Sequence, residues 1–190
     1  MTMNIFKRLG RPSTRWSIFS LVSLGFFLGV IGLLGFETTL EATSTESFCL
    51  GCHEMADNAY VTYQNTVHDQ NRTGVQATCP DCHLPKEFLP KMARKISALR
   101  EVWGHMNGVI DTPEKFAEHL PRMQEKEIAR MRASDSRECR NCHAVDKMAA
   151  SLQSRVAQAS HRALENNSRT CIDCHVGIAH RALTPVDAVP

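Results

Sequence analysis

The chain has 190 residues, enough for one domain with an appendage, and its net charge of +2 implies neither nucleic acid nor another polyanion as a partner. Aromatic residues make up 6% of it, too few to supply the bulk of an ordinary packed core, while eight cysteines and nine histidines are many for this length. Something other than side-chain packing is therefore expected to fill the interior.

Residues 1–15 are basic, with Lys7, Arg8, Arg11 and Arg15, and lead into "WSIFSLVSLGFFLGVIGLLGF", residues 16–36, which carry no charge. As a helix that run spans roughly 30 Å, about one hydrocarbon core. Basic residues before it and Glu37, Glu41 and Glu46 after it predict a retained single-pass inner-membrane anchor with a cytoplasmic N-terminus. A cleaved signal peptide would have a shorter apolar region and a small-x-small cleavage site, which residues 37–46 lack. Residues 37–47 read as a polar linker, and residues 48–190 as a domain on the far, oxidising side of the membrane.

That domain opens on "FCLGCHEMADNAY", residues 48–60, the first of four cysteine pairs. The others are "CPDCH" from Cys79, "CRNCH" from Cys139 and "CIDCH" from Cys171, and no cysteine is left over. The first two pairs start 30 residues apart and the last two 32 apart, which suggests a duplicated unit covering about 48–85 and 138–182. Each unit holds one further histidine, His68 lying 15 residues before His83 and His161 lying 14 before His175. Equivalent positions predict equivalent jobs.

Residues 86–137 connect the units. "KEFLPKMARKISALREVWGHMNGVI" predicts a helix at least from Pro90, with one apolar stripe through Met92, Ile96, Leu99, Trp103, Met106 and Ile110. "DTPEKFAEHLPRMQEKEIARMRASDS" predicts a second, capped at Asp111 or Thr112 and kinked or split at Pro121. "AVDKMAASLQSRVAQASHRALENN" predicts a third. The fold class is mainly α, a single transmembrane helix followed by a small, loop-rich domain built from two repeats.

C-x-x-C-H is the attachment signature of c-type haem. Cys49 with Cys52, Cys79 with Cys82, Cys139 with Cys142 and Cys171 with Cys174 would form thioethers to the porphyrin vinyl groups. The adjacent histidine, His53, His83, His143 or His175, then lies beneath the iron. Zinc on four thiolates or a set of disulfides would leave a histidine after every pair unexplained. Four covalent haems are predicted, and their porphyrins would supply the missing apolar bulk.

Sixth ligands come from the histidines outside the motifs. His68 and His161 follow from the repeat, and His180, five residues after His175, should reach a neighbouring haem rather than its own. His105 and His119 read as solvated surface residues. Three partners for four haems leave one haem open for chemistry. Met55 lies two places after the first motif, whereas the other motifs are followed by Leu84, Ala144 and Val176 with no methionine there, which makes the first haem the odd one.

"FCLGCHEM", "CPDCHLPKEFLPKMARKI", "GVIDTPEKF", "SRECRNCH" and "TCIDCHVGIAH", with the apolar run, resemble the NapC/NirT/NrfH family of membrane-anchored tetrahaem quinol dehydrogenases over nearly the whole chain. The long middle strings are most similar to the NapC branch. The resemblance implies oxidation of menaquinol or ubiquinol from the membrane pool and electron delivery to a periplasmic reductase, nitrate reductase above all, with homo-oligomerisation left open. It implies Met55 as proximal ligand of the first haem, with His53 as the alternative, and assigns His68 to haem 4, His161 to haem 2 and His180 to haem 3. It also implies Lys95 as the quinol-contacting lysine and Glu101 as the acidic residue on the open face of the first haem.

Overall fold

The computed structural model describes residues 15–165 and 168–181. Among these the chain is helical with no strand, and it divides into two units at Thr43 and Ser44.

The first unit is the helix α1, Ile18–Ala42, whose start is capped where Ser17 Oγ accepts from Ser20 N at 3.1 Å. It is long and apolar enough to cross a membrane. Its apolar side chains are exposed all round rather than along one stripe, with Phe19, Phe26, Ile31 and Leu34 all more than half exposed. A helix with no polar face buries its surface in lipid or in protein. α1 continues six residues beyond the predicted span. Residues 37–42, expected as linker, are helical, because Thr38 and Thr39 return their hydroxyls to the carbonyls of Leu34 and Gly35 instead of breaking the ladder. The basic residues 1–14 lie outside the described residues, apart from Arg15 at their end.

In the second unit each cysteine pair occupies one helical turn. These are α2 (Glu46–Cys49) with the turn after it, α4 (Cys79–His83), α7 (Arg137–Arg140) with the turn after it, and a 3₁₀ turn at Cys171–Asp173; α3 (Val61–Tyr63) ends a π-helical turn over Met55–Tyr60. One turn brings positions i, i+3 and i+4 to one face. The hydrogen bonds His143 N to Cys139 O at 2.9 Å and His175 N to Cys171 O at 3.0 Å are that turn. The second and fourth turns are pinned alike: Asp81 Oδ2 accepts from Thr78 N at 2.8 Å and Asp173 Oδ2 from Thr170 N at 2.7 Å.

Two long helices join the halves. α5, Phe88–Met106, ends at Gly108, whose φ of +65° turns the chain back so that Val109 N reaches Gly104 O at 2.9 Å. A Cβ at Gly108 would come within 3.1 Å of Asp111 Oδ2. α6, Pro113–Ala133, starts from a Thr112 cap and runs through Pro121 as one helix. The predicted split does not occur. The predicted third helix forms only over α8, Arg155–Glu165, preceded by 3₁₀ turns at Val145–Lys147 and Ala150–Leu152.

The apolar stripe of α5 does not become core: Leu89, Ile96, Leu99, Trp103 and Met106 are exposed, and among its predicted members only Ile110, beyond the helix end, is buried. The side that packs is polar instead. Arg94 reaches Glu127 of α6 at 3.8 Å, and Glu101 stands 3.4 Å from Arg94 and 3.9 Å from Lys126. Buried apolar side chains are few, chiefly Tyr63, Ile110 and Phe116 in this unit.

Candidate haem sites

The eight cysteines are unbridged. Burial pushes the Cys79 thiol up to about 12, with Glu46 adding to it, and the Cys82 thiol up to about 11, with Cys139 adding to it. Among the described residues no four cysteines converge on one point either; the group of candidate ligand atoms lying within 4.8 Å of one another is His53, Glu54 and His105.

The histidines do converge, in pairs. Ring centroids lie 6.0 Å apart for His83 and His180, 6.2 Å for His68 and His143, and 6.2 Å for His161 and His175. A metal–nitrogen bond is about 2 Å and a ring nitrogen lies about 1 Å from its centroid, so two imidazoles on one metal have centroids about 6 Å apart. The residues fit haem iron: each pair joins the histidine of a C-x-x-C-H turn to one from outside the motifs. The pairings differ from those implied by the resemblance. His68 faces the third motif rather than the fourth, His161 the fourth rather than the second, and His180 the second rather than the third. His161 pairs within its own half, while His68 and His180 cross between halves, so the two repeat positions each meet a motif histidine, one in its own half and one in the other.

Second partners orient these rings. His83 Nδ1 donates to Glu127 Oε1 at 2.8 Å, His161 Nδ1 to Gln153 Oε1 at 2.8 Å, and His180 Nδ1 to Ala59 O at 3.1 Å with Thr62 Oγ1 at 3.0 Å. A proton fixed on Nδ1 leaves Nε2 for the metal. Burial alone would raise the Glu127 carboxyl, but hydrogen bonds from His83 and Arg130 outweigh it and hold the group well below the usual carboxylate range. A carboxylate accepting from His83 Nδ1 makes that imidazole a more basic ligand. Glu127→Gln should keep the haem low-spin while raising its midpoint potential by roughly tens of millivolts, readable by potentiometric titration. An unchanged set of potentials would count against the Glu127–His83 bond.

His68 is placed by a different device. Buried Tyr63 donates its hydroxyl to both His68 O and Ala77 O, closing the loop that carries the histidine, and Ala77 N adds a bond to His68 O at 2.9 Å.

The four turns are linked in chain order. Glu46 Oε2, on the first, accepts from Cys79 N at 3.2 Å. Arg130 joins the second to the third, donating to Cys82 O at 3.2 Å and to the buried Glu138 at 3.1 Å. Ser136, fully buried in a left-handed conformation, joins the third to the fourth by accepting from Ile172 N at 3.1 Å. Arg132 Nε also holds Asp173 at 2.6 Å. The C-terminal half of α6 thus braces the second, third and fourth turns. Glu127 and Arg130 escaped the sequence reading because nothing local marks them among the many charges of that helix.

The two residues assigned to a quinol site diverge. Lys95 lies near Cys49, where its charge pulls the thiol down against the larger effect of burial. Glu101 lies 3.4 Å from Arg94 on its own helix and 3.9 Å from Lys126 of α6. A separation of six positions sets them about 120° apart around the helix axis, and only one side faces α6. His119, expected to be solvated, returns Nδ1 to Lys115 O at 2.9 Å and is half-buried. His105 was read in the same way and is not a bystander: it bonds the buried Glu54.

Residues 11–185 match the family described as the NapC/NirT cytochrome c family, N-terminal region. The chain is 50% identical over 176 residues to the denitrification system component NirT of Stutzerimonas stutzeri, covering 93% of this chain and 88% of that protein. It is 46% identical over 171 residues to the cytochrome c-type protein NapC of Escherichia coli K12, covering 90% and 86%, and 51% identical over 174 residues to NapC of Paracoccus pantotrophus, covering 91% and 73%. No solved structure matches the chain.

Proposed function

The chain belongs to the NapC/NirT cytochrome c family of membrane-anchored, multihaem electron-transfer proteins, and from that premise we propose that it oxidises quinol and passes the electrons through four haems to a periplasmic reductase. The observation that carries this reading is the series of C-x-x-C-H turns tied together in chain order, beginning beside Lys95. The haem unit is periplasmic and the N-terminus cytoplasmic. Similarity to proteins named NapC supports periplasmic nitrate reductase as the acceptor.

When bound, the haems supply one-electron oxidation and reduction at iron. Oxidising one quinol to quinone releases two electrons, which leave singly, and two protons, which pass to water or a base. His83 and His180 would hold the second haem, His143 and His68 the third, and His175 and His161 the fourth. Lys95 donates to a quinol oxygen and positions the ring beside the first. The exposed apolar side chains of α5 suit a ring with a lipid tail. Glu101 is left out of the proton path, because it already neutralises Arg94 and Lys126.

Mixing the detergent-solubilised chain with a reduced quinol analogue should reduce haem rapidly. Lys95→Leu should preserve haem content and slow that reduction about ten- to a hundredfold, since a charge-assisted hydrogen bond contributes about 1.5–3 kcal/mol. Failure of quinol to reduce the unmodified chain would reject the reading.

A further inference from the structure

The apolar side of α5 is a surface that the haem reading leaves unexplained. Leu89, Ile96, Leu99, Trp103 and Met106 are 62% to 76% exposed, and their spacing puts them within an arc of about 100° around the helix axis. They run along about 25 Å of helix, longer than the one porphyrin that Cys49 and Cys52 would hold. The opposite side of α5 is already committed to protein. His105, nine positions from Ile96 and so about 180° round the axis, bonds the buried Glu54, and Arg94 reaches Glu127 of α6 at 3.8 Å. The stripe therefore cannot turn inward.

Charge decides what covers it. Lys91 and Lys95 border one edge of the stripe and Arg100 the other, while the single acid of α5, Glu101, lies on the side packed toward α6. A second copy docked on this face would set cations against cations, because both edges are basic. An anionic bilayer surface accepts the whole arrangement, with apolar side chains among the acyl chains, cations on phosphate and Trp103 in the interfacial zone. The chain's connections fit. The charge of Lys95 is felt at Cys49, and Cys49 comes seven positions after Ala42, where α1 ends. So short a tether keeps α5 within reach of the bilayer that α1 enters.

We propose that α5 lies in the membrane surface, its stripe inserted among the acyl chains and Lys91 and Arg100 on anionic phospholipid headgroups. Insertion of one interfacial helix is reversible, so α1 remains the anchor and α5 fixes which side of the haem unit meets lipid. A quinol then reaches Lys95 with its tail still in the bilayer. The membrane contact itself does not depend on quinol oxidation.

The test is photolabelling of the full, haem-loaded chain in vesicles of phosphatidylcholine and phosphatidylglycerol, doped with a phospholipid that carries a diazirine on its acyl chain. After digestion, α1 should be labelled in every sample and serves as the standard. Peptides from α5 should be labelled as well, and those from α6 should not. Ile96→Glu combined with Leu99→Glu should lower the α5 label about tenfold or more, since two apolar side chains leave the lipid. Arg100→Gln should lower it about fivefold, the value of one headgroup contact. These positions are exposed, so haem content and the α1 label should not change. Vesicles of phosphatidylcholine alone, which need no substitution, should also weaken the α5 label. A labelled α1 beside an unlabelled α5 in the unmodified chain would overturn the proposal, as would α5 shielded by a second copy of the chain. Labelling indifferent both to Arg100→Gln and to removal of phosphatidylglycerol would overturn it too, because such a face does not read headgroup charge. No quinol enters the measurement, so its failure is separate from failure of the quinol reading.

Discussion

Replacing His180 by methionine is expected to raise the midpoint potential of one haem by ~100 mV or more, a fraction of the ~0.8 V that axial ligands span. A thioether donates less charge to ferric iron than an imidazole oriented by Ala59 and Thr62, so the ferrous state gains. His68→Met and His161→Met should each do the same to a different haem, while His119→Met should leave every haem as it was. The pairing itself can be checked by combination. If His180 and His83 share one iron, His180→Met and Glu127→Gln move the same haem, and the double variant shows one shifted centre with a non-additive displacement. If His180 served the third haem, two separate centres would move.

Removing residues 1–43 and exporting the remainder behind a cleavable signal should give a water-soluble protein that carries four haems but no longer draws electrons from membrane quinol. The remainder is a unit with its own contacts, so haem attachment should survive. What disappears is α1, the apolar helix that keeps the chain at the surface where lipid-tailed quinol resides. An anchor raises the local concentration of its partner, to about the millimolar range for short tethers, and free diffusion of a periplasmic protein does not replace it. A water-soluble quinol analogue should still reduce the truncated protein. Full activity with membrane quinol would show that α1 is not needed for access.

The features legible in the sequence were those that depend on near neighbours. An uncharged run between basic and acidic flanks marks a spanning helix, whatever the rest of the chain does. C-x-x-C-H carries its own geometry, since one helical turn aligns both thiols and the imidazole on a single face. The helices α5 and α6 were visible from periodicity and from Thr112 and Pro113 at a helix start. Pro121 pointed to a kink or a split, and α6 runs through it as one helix. The apolar stripe of α5 misled as well: periodicity locates an apolar face but does not say whether protein or something else will cover it.

By itself, then, the sequence determined that this is a membrane-anchored c-type cytochrome, where its haems attach, and which histidine follows each attachment. Only the tertiary structure decided which distant histidine meets which motif. His83 and His180 are 97 residues apart, and His68 and His143 are 75 apart. No local spacing rule reaches so far, and the near-symmetric repeat marked His68 and His161 without saying which motif each would meet. The same holds for Glu54 with His105 and for Glu127 with His83, 51 and 44 residues apart. In sequence these are unremarkable charges on amphipathic stretches. Their roles exist only because the fold brings each carboxylate against an imidazole distant in sequence.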